Sequence, residues 1–161
     1  MKRLLSIAFL IASCGGTTGS GAVTPAAIAT AAPSPVYDYL EDVPIGQCLD
    51  PIRDKDDDVI LAASLKSCDE THLAEVVGRR QLPYTSEAPF PGDSPLARAS
   101  ETECRAAFSD YVGIDYDESS LDVEYQYPGP LSWPGGDRIV TCMVVGSGVT
   151  ALTRSVKGSR E

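Results

Sequence analysis

Histidine occurs once in this chain of 161 residues, tryptophan once, phenylalanine three times and methionine twice. With one imidazole, any site that needs two histidine ligands is excluded. No G-x-S-x-G segment occurs, so the strained nucleophile turn of the α/β-hydrolases is absent. The closely spaced cysteine pairs of structural zinc sites are missing as well; successive cysteines from Cys48 onward lie 20, 36 and 38 residues apart. No cofactor or metal is therefore expected. Cationic side chains are scarce, with 13 Lys and Arg against 23 Asp and Glu and a formal charge of −10. A body this acidic is repelled by nucleic acid and by anionic headgroups, so neither is expected as a direct partner. Long apolar runs are missing too: Leu4 to Ala12 rises only about 14 Å as a helix, roughly half of a bilayer core.

That short run has the length of a signal-peptide core, and Lys2-Arg3 supply the positive flank ahead of it. It ends in Ile11-Ala12-Ser13-Cys14-Gly15. An aliphatic residue, two small residues and then cysteine resemble the lipobox of bacterial lipoproteins. The resemblance implies a diacylglyceryl group on the Cys14 sulfur and cleavage just before it, making residues 1–13 a lipoprotein signal peptide. The alternative is an ordinary signal peptide cut further on, after Ala27 or Ala32. Two or more acyl chains hold a protein stably on a membrane, whereas one does so only marginally. The expected location is the outer face of the cell membrane. Cleavage there removes Lys2 and Arg3 and leaves a charge of −12.

Cysteine number agrees. Five cysteines are an awkward count in an exported protein. Assigning Cys14 to lipid leaves Cys48, Cys68, Cys104 and Cys142 for two disulfides in an oxidising compartment. Residues 15–35 contain no charge and no aromatic. Such a composition cannot build a core and reads as a flexible tether, assigned to 14–36, with a reach of about 25 Å. The folded domain is assigned to 37–161.

Within it, Val43–Leu49, Val59–Leu65 and Leu73–Leu82 read as strands, and 84–93 as a Pro/Gly loop. Ser94-Pro95 resembles a helix N-cap with proline at the first helical position. Leu96, Ser100, Cys104, Ala107, Phe108 and Tyr111 recur on one helical face, and Gly113 sits where a C-terminal cap belongs. The predicted helix is 95–112. Leu121, Val123, Tyr125 and Tyr127 alternate on one face of a strand, Arg138–Val145 reads as a second strong strand, and Val149–Val156 as an edge strand. The fold class is α+β: an antiparallel sheet with one main helix packed on a face, stapled by two disulfides. A Cys104–Cys142 bridge would join helix to sheet, leaving Cys48 and Cys68 to close the N-terminal strand pair, but four cysteines allow three pairings and spacing does not choose between them.

Candidate chemistry is sparse. His72 would have to serve any Ser/His/Asp triad, and no serine stands out as its nucleophile; a hydrogen-bonded histidine at a turn is the plainer reading. Asp54, Asp56, Asp57 and Asp58 lack the glycine and glutamate of a calcium loop, with Val59 and Leu65 in those positions. Asp115, Asp117 and Glu118 fail the same test. Trp133, Asp137 and Arg138 lie in a Pro/Gly-rich loop and are the candidates for contact with a glycan or protein partner. In the other reading Trp133 folds over the neighbouring disulfide while Asp137 and Arg138 hold the turn.

Four segments occur in a set order: Gly46-Gln47-Cys48; Cys68-x-x-x-His72-x-x-Glu75-Val76; Cys104-x-x-x-Phe108-x-x-Tyr111-Val112-Gly113; and Trp133-x-x-x-Asp137-Arg138-x-x-x-Cys142. Together they resemble the septum formation family of actinobacterial envelope proteins, over roughly Asp42 to Gly146. The resemblance implies an extracytoplasmic domain with pairs Cys48–Cys68 and Cys104–Cys142. It implies no defined chemistry. The expected function is a non-catalytic, membrane-tethered envelope module that binds a protein or cell-wall partner, with a link to septum formation. The rivals are an envelope hydrolase using unrecognised carboxylates and an accessory or sensor subunit of a membrane complex.

Overall fold

A computed structural model of the chain describes residues 36–37, 39–55, 60–148 and 150–161, which belong to one compact unit, Pro33–Glu161. The signal peptide, Cys14, the tether up to residue 35 and Asp56 to Asp58 lie outside the described residues. Among the described residues six antiparallel strands form one sheet: β1 (Val36–Tyr37), β2 (Cys48–Arg53), β3 (Ile60–Lys66), β4 (Ala74–Gln81), β5 (Leu121–Gln126) and β6 (Ile139–Gly146). Their order is β1-β3-β2-β4-β6-β5. Val36, assigned to the tether from sequence, pairs with Ser64 in the two-residue edge strand β1.

The one long helix among the described residues, α1 (Asp93–Val112), lies against β4, β5 and β6. Leu96, Cys104, Ala107, Phe108 and Val112 make its buried stripe. The sheet presents Val77, Val140, Cys142, Val144 and Leu121 to them, and Val123, Tyr125 and Tyr127 pack against the same cluster. The alternation read in β5 thus faces the helix. At Gly78 an added Cβ would stand 3.0 Å from the Ala107 Cβ, so the helix sits closer to β4 than a larger residue would allow. The helix starts earlier than expected. Gly92, not Ser94, is the capping position, and Pro95 is the third helical residue. The first-turn N–H groups have no partner four residues back, so proline costs little there. Gly113 ends the helix in the left-handed region at φ 85°, its N–H bonding the Ser109 carbonyl.

A second apolar cluster comprises Leu49, Ala63, Ala74, Val76 and Met143, together with Leu40 and Val43. Here the expected strand Val43–Leu49 is corrected. Leu40–Asp42 form a 3-10 turn, and the Arg79 guanidinium donates to the Leu40 and Val43 carbonyls. Pro44 and Gly46, the latter at φ 90°, turn the chain before β2 begins at Cys48. After Leu49 the strand leaves β4 and pairs only with β3, so Pro51 is tolerated without an N–H. The expected edge strand Val149–Val156 is also corrected. A single bridge joins Leu152 to His72, and the chain runs on as a strap over the helix end. There the Gly158 and Arg160 N–H groups bond the Tyr111 and Val112 carbonyls, two acceptors that the helix itself cannot satisfy.

The disulfides are Cys48–Cys68 and Cys104–Cys142, with Cα separations of 5.2 and 5.3 Å. The first joins the start of β2 to the turn before β4; the second ties α1 to β6. On the chain-entropy model they contribute roughly 3 and 4 kcal/mol.

Candidate functional site

The residues marked out by the sequence motifs mostly turn inward. His72 is 1% exposed, with its Nδ1 2.7 Å from the Glu70 carbonyl oxygen. Its Nε2 is buried with no hydrogen-bond partner among the described residues. The ring therefore holds a turn while the His72 backbone makes the Leu152 bridge, and among the described residues no serine or carboxylate is bonded to the ring as a triad would require.

Glu75, three residues on, is fully buried. Its Oε1 accepts hydrogen bonds from the Tyr111 hydroxyl at 2.5 Å and the Ser155 hydroxyl at 2.8 Å. Its Oε2 accepts the Val156 N–H at 2.7 Å. One carboxylate thus ties β4 to the helix end and to the C-terminal strap. Burial first, then the hydrogen bond to Glu75 and its charge, push the Tyr111 phenol well above its ordinary pKa. An oxygen of Glu75 and the sulfurs of Cys48 and Cys68 lie within 4.8 Å of one another. The sulfurs are joined to each other and offer no thiolate, so the cluster is not a metal centre.

Trp133 and Arg138 are each 2% exposed. The Arg138 guanidinium stacks 3.6 Å from the Trp133 ring centre and donates to the carbonyls of Thr85, Ser86, Ala88, Trp133 and Asp137. The Trp133 indole N–H donates to Ala88 at 2.7 Å, and Tyr84 and Phe90 meet its ring edge-to-face. As a displayed contact surface these two residues are corrected: their faces and donors are consumed in fastening the 85–88 loop to the turn before β6. Asp137, half-buried, accepts the Ile139 N–H and steadies that turn. Asp115, Asp117 and Glu118 are exposed on a 3-10 turn, with Asp117 paired to Arg105.

Cavities lie elsewhere, between β2 and the β5–β6 pair. One of about 510 Å³ is bounded by Pro51 and Arg53 of β2, Leu73, Val123 and Glu124 of β5, Val145 and Gly146 of β6, and the turn after it. A neighbouring cavity of about 350 Å³ shares Arg53 and Glu124 and continues past Ile60 to Tyr125 and Tyr127. Arg53 and Glu124 form an ion pair across the boundary of the two. Burial above all raises the Tyr125 and Tyr127 phenols above their ordinary pKa, helped by Glu101 and Tyr127 at the first and by Asp93 at the second. This trough carries a β-branched and aromatic wall, the Arg53–Glu124 ion pair and the Asp93 carboxylate. Sequence reading missed it because Arg53 and Glu124 are 71 positions apart. The only local signal was the alternation that places Glu124 and Gln126 opposite the helix-facing residues of β5.

Among the described residues, no helix is long and apolar enough to cross a membrane. No solved structure matches the chain. The similar curated sequences are uncharacterised membrane proteins of Mycobacterium tuberculosis, one from strain CDC 1551 / Oshkosh and one from strain ATCC 25618 / H37Rv. Each is 25% identical over 175 residues, an alignment that takes in 94% of this chain and 38% of the relative. The chain thus spans well under half the length of either relative. The family model described as septum formation matches residues 45–161, which include all four disulfide cysteines, the buried Glu75 and the Trp133–Arg138 stack. By that match the chain belongs to the septum formation family.

Proposed function

We propose that this chain is a non-catalytic module of the cell envelope, held on the outer face of the cell membrane by lipid at Cys14, which binds a protein or cell-wall partner in a role linked to septum formation. The observation that carries the reading is the open trough between β2 and β5, which is large enough to bury partner side chains. The tether composition supports it, because about 25 Å of uncharged chain lifts a folded body clear of the headgroups. The test is proximity crosslinking from the full-length protein on intact cells. Recovery of a discrete envelope partner in stoichiometric amounts supports the module. Turnover of a cell-wall substrate by the purified chain, abolished by Glu124→Gln, would replace it with the hydrolase reading.

A further inference from the structure

We propose that Cys48, Cys68 and Glu75 hold one zinc ion when the Cys48–Cys68 disulfide is reduced, and release it when the disulfide forms again. This goes beyond the binding-module reading and does not depend on it. Cys48 and Glu75 are direct cross-strand partners in the β2–β4 ladder, and the bridge brings Cys68 to the same point. The two sulfurs and a Glu75 oxygen lie within 4.8 Å of one another. Around a tetrahedral zinc ion, with Zn–S of about 2.3 Å and Zn–O of about 2.0 Å, such atoms stand about 3.5–3.8 Å apart. The backbone thus gathers the three ligands near the spacing of a metal site, and the bond between the sulfurs is what withholds them. Water fills the fourth position.

Glu75 has room for the ion. An ionised carboxylate offers about four acceptor positions. Tyr111 and Ser155 take two on Oε1 and the Val156 N–H takes one on Oε2, which leaves one. Two thiolates name the metal: calcium and magnesium take oxygen ligands, whereas thiolate sulfur selects zinc. The ligands come from the start of β2, the turn before β4 and β4 itself, so the short cysteine spacing of sequence-recognisable zinc sites is absent.

The two bridges differ in access. Cys104 and Cys142 are both fully buried between α1 and β6. Cys68 is partly exposed, in a turn whose Ser67, Asp69, Glu70 and Thr71 are exposed. A small dithiol therefore reaches the Cys68 sulfur first. Its thiolate attacks that sulfur and displaces the Cys48 thiolate, giving a mixed disulfide. Its second sulfur then closes on the first and frees Cys68, and the reagent leaves as a cyclic disulfide. Two electrons and two protons pass from the dithiol to the chain. Zinc displaces the two thiol protons as it binds. A disulfide oxidant takes the two electrons back, joins the sulfurs and expels the ion.

The test uses the full chain in detergent, treated with a small dithiol until peptide mapping finds free thiols at Cys48 and Cys68 and an intact Cys104–Cys142 bridge, then freed of reagent without oxygen. Cobalt(II) is the coloured probe for the zinc position. The reduced chain should take up one equivalent with a thiolate-to-cobalt absorption band, zinc should displace it, and calcium should not. The oxidised chain should take up none. Glu75→Gln keeps the hydrogen-bond pattern of the strap and should weaken zinc at least tenfold. The double variant Cys48→Ser, Cys68→Ser should bind none. A disulfide oxidant added to the zinc-loaded chain should release one equivalent to a chromogenic chelator. Trp133 emission reports the fold in each sample. A folded, reduced chain that takes up no metal overturns the proposal. So do equal affinity in Glu75→Gln, uptake by the oxidised chain, and reduction of Cys104–Cys142 ahead of Cys48–Cys68. Unfolding on reduction of Cys48–Cys68 alone, not reversed by zinc, overturns it as well.

Discussion

Replacing Glu75 tests whether the C-terminal strap is fastened by a hydrogen-bond pattern. The carboxylate is fully buried and accepts from Tyr111, Ser155 and the Val156 N–H. Glu75→Leu fills similar volume but accepts nothing. The two hydroxyls can turn to other acceptors, but the backbone N–H of Val156 cannot. An orphaned buried polar group costs about 1–3 kcal/mol, so loss of the whole set is expected to cost about 3–5 kcal/mol. That is a large part of the 5–15 kcal/mol typical of a domain. Glu75→Gln behaves differently. Its amide oxygen accepts the Val156 N–H while its NH₂ group donates to the two hydroxyl oxygens, so only the charge-assisted strength is lost, about 1 kcal/mol. Because Tyr111 and Ser155 share Oε1, Tyr111→Phe and Ser155→Ala should be non-additive by at least about 0.5 kcal/mol. The assay is urea unfolding without reductant, read by Trp133 emission, with hydrogen exchange at Val156, Gly158 and Arg160. Exchange at those three amides should accelerate most in the leucine variant. A leucine variant within about 0.5 kcal/mol of wild type would refute the reasoning. A glutamine variant as damaged as the leucine one would show that charge, and not the hydrogen-bond pattern, holds the strap.

Arg138→Lys should cost more than about 2 kcal/mol and shift Trp133 emission to the red, because an ammonium has three donors and no planar fork to reach five carbonyls while stacking on an indole; an unchanged spectrum and midpoint would contradict the clasp. Cys14→Ser should release the chain into the medium or leave an uncleaved precursor, and mass spectrometry of the wild-type N-terminus should find lipid on Cys14; an unmodified Cys14 removes the anchor from the proposed function. Tyr111, Tyr116, Tyr125 and Tyr127 all have phenols raised chiefly by burial. Their contribution to stability is intact below the unfolded phenol value of about 10 and is lost as pH rises above it, because the unfolded chain gives up these protons first. Ultraviolet titration of the native chain should therefore show tyrosines ionising above pH 10, and urea midpoints should fall over the same range; ionisation of all tyrosines at the ordinary value would count against the burial described.

Local chemistry was legible in the sequence. The stripe from Leu96 to Tyr111, Gly113 at its end and the alternation of Leu121, Val123, Tyr125 and Tyr127 each report an element and its buried face, because helix and strand periods are written within a few residues. The family motifs carried the disulfide pairing, which spacing alone left open among three possibilities. The N-terminus of α1 was misplaced by two residues because Ser-Pro is also acceptable inside a first turn. Val149–Val156 reads as a strand in sequence, but only Leu152 makes a bridge among the described residues, and Val156 meets the buried Glu75 carboxylate instead of a neighbouring strand. What only the tertiary structure decided are the long-range partnerships. Glu75 meets Val156 across 81 positions, Arg53 meets Glu124 across 71, and Arg138 meets Ser86 across 52. A lone Glu, Arg or Trp in sequence carries no sign of whether its partner will be solvent, a ligand or a distant carbonyl. Burial in the folded chain decides that, and it turned Trp133 and Arg138 inward.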